Sequence, residues 1–269
     1  MALKDITLGQ YYPAESPVHE LDARTKILGI LAYLISLFFI KSFTGFAFAA
    51  LCLLIFIKIS KVPLSFVTKG FKPILLILIL TMVVNMLSGT GEPILTWWII
   101  KITMDGIYRA CFMAIRLLLL VFGSSMLTLT TKPIHLTDGL EKILSPLKVI
   151  GLPAHELAMM MSIALRFIPT LMEETDKIMK AQSSRGADFE GGSLKDKAKA
   201  LLPLLVPLFV AAFRIAGDLA MAMEARCYNG GKGRTRMNAM HFGKKDAVAA
   251  VLVVLYFAAV IVSRRLPLF

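Results

Sequence analysis

The run ILGILAYLISLFFI, residues 27–40, is followed by Lys41 and Ser42 and then by FTGFAFAALCLLIFI, residues 43–57. Two apolar runs with a polar break between them decide the class of fold. Both are shorter than the roughly twenty residues a helix needs to cross hydrocarbon. Flanking Lys26, Lys41 and Lys58 can lay their stems along lipid and lift their ammonium groups to the interface. The pair therefore reads as two short membrane spans.

Working outward, residues 1–24 form a polar, irregular arm, and Leu21 to Lys26 leads into the first span. Lys58, Lys61, Lys69 and Lys72 make the loop after the second span strongly basic. A third span is expected over Pro73 to Leu87 and a fourth over Gly106 to about Thr131. Between them, Ser88 to Asp105 carries Gly89, Gly91, Pro93, Trp97 and Trp98 and reads as a loop with an interfacial aromatic anchor. Ala247 to Val262 is a fifth span. The lysine-rich loop argues for a cytoplasmic N-terminus and a fourth span that ends inside. A fifth span would then carry Arg264 and Arg265 outward, against the same tendency. Either the earlier loops outvote the rule or the span count is off by one.

Composition agrees with the membrane reading. Of 269 residues, 57% are apolar and the mean hydropathy is +0.72, above the roughly 45–50% of soluble domains. The net charge of +12 is the positive-inside bias of a membrane protein or a basic surface for an acidic partner. Nucleic acid is excluded as a partner, because the basic residues are spread among helices with no recognition module. Cys52, Cys111 and Cys227 are too few and too scattered for a disulfide framework or a redox pair. No secretory signal is visible at the N-terminus.

Residues 132–245 change character. They hold 17 Lys and Arg and 11 Asp and Glu, yet remain helical in period and rich in Met and Leu. Three helices are expected: Leu136–Ile150, Pro153–Ser184 and Leu194–Asn229. In the second, Met160, Ile163, Ala164, Phe167, Ile168, Leu171 and Met172 recur at three- and four-residue steps, and Pro169 should bend it. The third contains the apolar run Leu201 to Phe213, with Leu205 and Phe209, broken by Pro203 and Pro207. Its thirteen residues are too few to span, which favours a bent helix at the membrane boundary. The expected fold is thus all-α: an arm and four spans over 1–131, a cytoplasmic-side module of amphipathic helices over 132–245, and a last span over 246–269.

Catalytic motifs are lacking. His155-Glu156 begins like a zinc-protease helix, but Met159 stands where the second histidine ligand would be. Asn229-Gly230-Gly231-Lys232-Gly233-Arg234-Thr235 is glycine-rich and basic without the ending of a phosphate loop, and reads as a helix stop and basic loop. Carboxylates that would mark an ion path are nearly absent from the spans. Arg109 and Arg116 lie in the fourth span, where they snorkel or pair internally. The methionines of the middle third are core filling or an adaptable apolar surface. Two tripeptides stand out: Ser184-Arg185-Gly186 and Ala225-Arg226-Cys227. Each sets one guanidinium at the end of an amphipathic helix, between small neighbours. An exposed arginine there is ordinarily a helix-dipole partner. A matched pair can instead offer fork-shaped cations to carboxylates in a partner's grooves.

These residues resemble a known family. Ala181-Gln182-Ser183-Ser184-Arg185-Gly186 and Ala225-Arg226-Cys227-Tyr228, with the Gly230–Thr235 segment, look like the paired arginine signatures of the T component of energy-coupling factor (ECF) vitamin transporters. Tyr12-Pro13-Ala14-Glu15-Ser16-Pro17-Val18-His19 and Leu21–Lys26 resemble the same family's opening, in its shared-module branch. Cys227 departs from the pattern, which often has Gly there.

The resemblance implies a non-catalytic scaffold in the cell membrane of a prokaryote. Two ABC-type ATPases, which bind ATP and Mg themselves, would receive Arg185 and Arg226 in grooves. A membrane-embedded S component, one of several where the module is shared, would bind the vitamin and rest on an apolar surface including Met160, Ile163, Phe167, Leu171, Leu205 and Phe209. No cofactor in this chain is implied. Two other classes remain as alternatives: a lipid-modifying membrane enzyme, which lacks paired carboxylates or a histidine motif, and a stand-alone secondary transporter, which lacks polar groups in its spans.

Overall fold

A computed structural model describes residues 11–69, 74–87, 93–97, 100–146, 151, 153–187, 189, 194–230 and 241–263. The fold is helical: α1 (Ala23–Phe39), α2 (Phe43–Ser60), α3 (Leu64–Lys69), α4 (Leu75–Leu87), α5 (Met104–Thr130), α6 (Pro133–Leu144), α7 (Ala154–Ser184), α8 (Leu194–Ala225) and α9 (Lys244–Ser263). A two-stranded antiparallel hairpin, β1 (Pro93–Trp97) and β2 (Ile100–Thr103), joins α4 to α5. Two compact units emerge. One holds α1–α5, the hairpin, the first part of α6, and α9; the other holds 140–238, with α7 and α8.

In the larger unit α5 is the central post. It packs against α1, α2, α3 and α4, and α1 packs also on α9. Leu37, Phe46, Ala49, Met126 and Leu129 are almost wholly buried where these helices meet. The Phe46 and Phe112 rings meet edge to face at 4.7 Å. The outward surface is also apolar, with Leu76, Val83, Leu252 and Val254 among its exposed side chains. Such a face suits lipid rather than water, and helices leave no backbone group unpaired toward it. The protein is a multi-pass membrane protein.

Four described helices are long and apolar enough to cross a membrane: α2, α5, Leu201–Ala225 of α8, and Lys244–Val262 of α9. Two expectations change. The segment read as a loop, Ser88 to Asp105, contains the hairpin, because Ile and Thr residues around Trp97 favour a pleated pair over an open coil. The argument from length against a span at Leu201–Phe213 also changes, although the helix itself is expected to run past it. The helix runs on through Arg214, Asp218 and Glu224, and the 25 residues Leu201–Ala225 suffice in length and composition to span. It ends at Ala225, short of the expected Asn229. Residues 147–150 of the first expected middle helix, most of the glycine-rich loop, and Arg264 and Arg265 lie outside the described residues.

Carbonyl oxygens uncovered where helices stop are taken up by cationic side chains. Lys26, one of the few buried charges, donates to the carbonyls of Thr130 (3.0 Å) at the end of α5 and His19 (2.9 Å) in the arm. Arg116 of α5 donates to the carbonyl of Ile40, just past α1, at 3.2 Å, beneath the Phe112 ring. Arg109 pairs with Asp105 one turn away at 2.9 Å. Helix starts are held likewise. The buried Asp246 carboxylate accepts from the Gly243 amide at its own helix start (2.9 Å) and from the Asp22 amide at the start of α1 (2.8 Å). Asp22 in turn caps Arg24 N at 2.9 Å and pairs with its guanidinium.

The arm is fastened as well. Tyr12 N donates to Leu129 O at 3.0 Å. His19 Nε2 donates to Tyr12 O (3.1 Å), so in the neutral ring Nδ1 accepts from Ser16 Oγ (2.7 Å). Burial lowers the His19 pKa from its ordinary value, and the nearby Lys26 charge adds to that.

Two outcomes are expected in thermal melts of the detergent-purified protein. Lys26→Met strands two carbonyls and should cost about 2–3 kcal/mol. At Gly106 a Cβ would stand 2.6 Å from the Met86 carbonyl oxygen of α4, so Gly106→Ala should cost about 1–3 kcal/mol. Gly217→Ala, with nothing within 4 Å, should be neutral or stabilising by up to about 1 kcal/mol.

Candidate functional site

Arg185 and Arg226 sit in the same local structure. α7 stops with Arg185 at its C-cap, and Gly186 follows at φ +90°. Gly186 N donates to Ser183 O and Ala187 N donates back to Gln182 O, both at 3.0 Å. At the end of α8 the pattern repeats one residue for one residue. Cys227 takes φ +54°, Cys227 N donates to Glu224 O (2.8 Å), and Tyr228 N donates to Met223 O (3.0 Å). Both are paired-bond helix stops built around one left-handed residue. In each the arginine immediately precedes that residue.

Chemistry explains why the sequence stops there. The left-handed conformation is free for Gly186 but strained for Cys227, whose Cβ crowds the following carbonyl. Ser184, Arg185, Gly186, Ala225, Arg226 and Cys227 are all exposed. Among the described residues neither guanidinium has a hydrogen bond or an ion pair. Small neighbours on both sides leave each guanidinium accessible.

The pairing of α7 and α8 fixes how these two cations are spaced. Tyr228 Oη donates to Met159 Sδ at 2.9 Å, Arg214 meets Glu174 at 3.9 Å, and Gln182 Nε2 donates to the Pro203 carbonyl at 3.4 Å. As α7 advances its α8 partners recede, so the helices are antiparallel. Arg185 is therefore at one end of the pair and Arg226 near the other. The stretch of α7 from Met159 to Arg185 corresponds to about 40 Å at 1.5 Å per residue.

The expected apolar surface divides between two levels of this pair. Met160, Ile163, Phe167 and Leu171 run along α7 on the half nearer Arg226. Leu205 and Phe209 lie on α8 at the half nearer Arg185. Phe209 is 62% exposed and Met160 54%, while Ile163, Phe167 and Leu171 are half-buried. Exposed Leu202, Val206 and Phe213 extend the α8 stripe, which a 3.6-residue period would have indicated.

Comparison with known proteins decides the family. Residues 14–237 match the CbiQ family, described as cobalt transport protein. The chain is 52% identical over 264 residues to a Clostridium kluyveri protein named "Energy-coupling factor transporter transmembrane protein EcfT", covering 97% of this chain and 98% of the relative. Proteins of the same name from Thermosediminibacter oceani (50% over 262 residues, 97% and 99% covered) and Bacillus subtilis (45% over 255, 94% and 96% covered) are similar throughout. The chain belongs to the EcfT/CbiQ family. Among the described residues no three His, Cys, Asp or Glu side chains are grouped to hold a metal. His155 instead meets Glu141 at 3.0 Å.

Sequence reasoning has Lys26 snorkel to the interface and gives Asp22 and Asp246 no structural role; the structure instead buries all three, where they anchor the arm and two helix starts. A charged residue directly ahead of an apolar run was the available signal. The two stops predict opposite responses. Cys227→Gly should stabilise the chain by about 1 kcal/mol by relieving the left-handed strain, and Gly186→Ala should cost about 1 kcal/mol. Thermal midpoints of the two variants check both.

Proposed function

We propose that this chain is the transmission subunit of an ECF-type importer. Arg185 and Arg226 each dock in a groove of one of two ABC-type ATPases, and α7 and α8 carry the motors' movement to a substrate-binding S component. Membership of the EcfT family supports the T-component role. The observation that carries the docking assignment is the repeated stop: two arginines in one backbone geometry, at opposite ends of one antiparallel pair. A single helix end would supply one handle. Two matched handles fit two copies of one motor, each presenting the same groove.

A guanidinium meeting a carboxylate in a desolvated groove is worth about 2–5 kcal/mol on truncation, against about 0–1 kcal/mol for an exposed pair. ATP and Mg²⁺ belong to the motors, and this chain contributes binding and leverage without catalysis. The lysine-rich loop supports a cytoplasmic N-terminus, and both docking ends belong to that same side, with α7 and α8 lying along the membrane boundary. The apolar stripes on α7 and α8 receive the S component, whose own pocket chooses the vitamin or other micronutrient.

Arg185→Ala with Arg226→Ala should abolish co-purification of the ATPases while the chain stays inserted in the membrane. Each single variant should weaken assembly by at least tenfold, and lysine at either position should restore it only in part, since an ammonium lacks the planar fork. Pull-down from mild detergent extracts reads this directly. ATPases retained by the double variant would refute the docking role.

A further inference from the structure

Gln182 occupies two roles at once. Its backbone carbonyl is the acceptor on which the Arg185 stop closes, receiving the Arg185 and Ala187 amides at 3.0 Å each. Its side-chain amide leaves α7 and donates to the Pro203 carbonyl of α8 at 3.4 Å. That carbonyl is a particular one. In an uninterrupted helix it would receive the amide of residue 207, and Pro207 has none. The proline thus creates a vacancy in α8, and an amide from α7 fills it.

We propose that Gln182 is a positioning residue that latches the Arg185 docking end to the proline bend of α8. The inference rests on the docking role of Arg185. Pull on Arg185 reaches the cap through the Gln182 carbonyl and reaches α8 through the same residue's side chain. Pro203 and Pro207 lie among the exposed apolar side chains Leu202, Leu205, Val206 and Phe209, where a proline favours a bend of the helix axis. A change at the bend therefore reorients the α8 stripe directly. The bond is long and single, so it can open and close within a motor cycle, as a transmission contact requires.

The test is a double-substitution cycle in the full complex with its ATPases and S component. Gln182→Glu keeps the size and removes the donor. Pro207→Ala supplies the missing amide, so the helix fills its own vacancy. Gln182→Glu should weaken the α7–α8 pairing about fivefold when residue 207 is Pro, as loss of one hydrogen bond does, and leave it unchanged when residue 207 is Ala. The ratio is read from protection of α8 amides against hydrogen exchange. Equal effects in the two backgrounds, or none in either, overturn the latch.

Spin labels at Lys180 and Val206 give the functional readout. With Gln182 present, a non-hydrolysable ATP analogue with Mg²⁺ should shift their separation; in Gln182→Glu the shift should vanish while the ATPases still co-purify. A shift of unchanged size overturns the transmission role, and so does loss of the ATPases from this variant. Failure of the docking reading appears separately, as ATPases retained by the double arginine variant.

Discussion

A helix that stops or bends leaves carbonyl oxygens without their amides, and in or beside lipid no water is at hand to replace them. Much of this structure answers that constraint. Lys26 reaches the carbonyls of Thr130 and His19, Arg116 reaches Ile40, and Gln182 reaches Pro203. In each case the donor comes from a different segment than the helix it completes. The repair of a local defect is therefore also a tertiary joint. Charged and amide side chains that look out of place in an apolar chain are sited where the backbone lacks a partner.

The exposed ends of α7 and α8 obey the same rule by another route. Both stops close on their own amides through a left-handed residue, which frees the preceding arginine's side chain of any capping duty. The guanidinium is held at a fixed point without being consumed by the fold. Because the helices run antiparallel, one repeated local device yields two cations at opposite ends of a stiff pair. Cys227 is tolerated in the left-handed position because it is small, at the expense of strain that glycine would not carry.

Motion would enter through the helices' weak points. Pro169 lies inside α7, and Pro203 and Pro207 lie inside α8. Proline removes one rung of the helix ladder and bends the axis there. The α8 bends fall amid the exposed Leu202–Phe213 stripe and the α7 bend amid the Met160–Leu171 stripe, so a change of bend alters the apolar surface without unpacking the pair. The larger unit is fastened differently. Its arm, two of its helix starts and the end of α5 are held by the buried Asp22, Lys26 and Asp246 groups.

The chain itself determined its helical class, the beginnings and ends of α5, α7 and α9 to within a few residues, and the two arginine tripeptides. Those follow from local rules: apolar period, proline and glycine punctuation, and the length of an apolar run. The hairpin at Pro93–Thr103 was not legible, because short strands with Gly and Trp neighbours share their composition with loops. Nor was it legible that Leu201–Ala225 has the length and composition to span, since a count of apolar residues stops at Arg214 while the backbone hydrogen-bond ladder does not. Only tertiary structure decided that the two arginine stops lie at opposite ends of an antiparallel pair, that Lys26 completes α5, and that Gln182 meets Pro203. Each of these joins residues far apart in sequence or on separate helices, and no local pattern records which uncovered carbonyl a distant donor will reach.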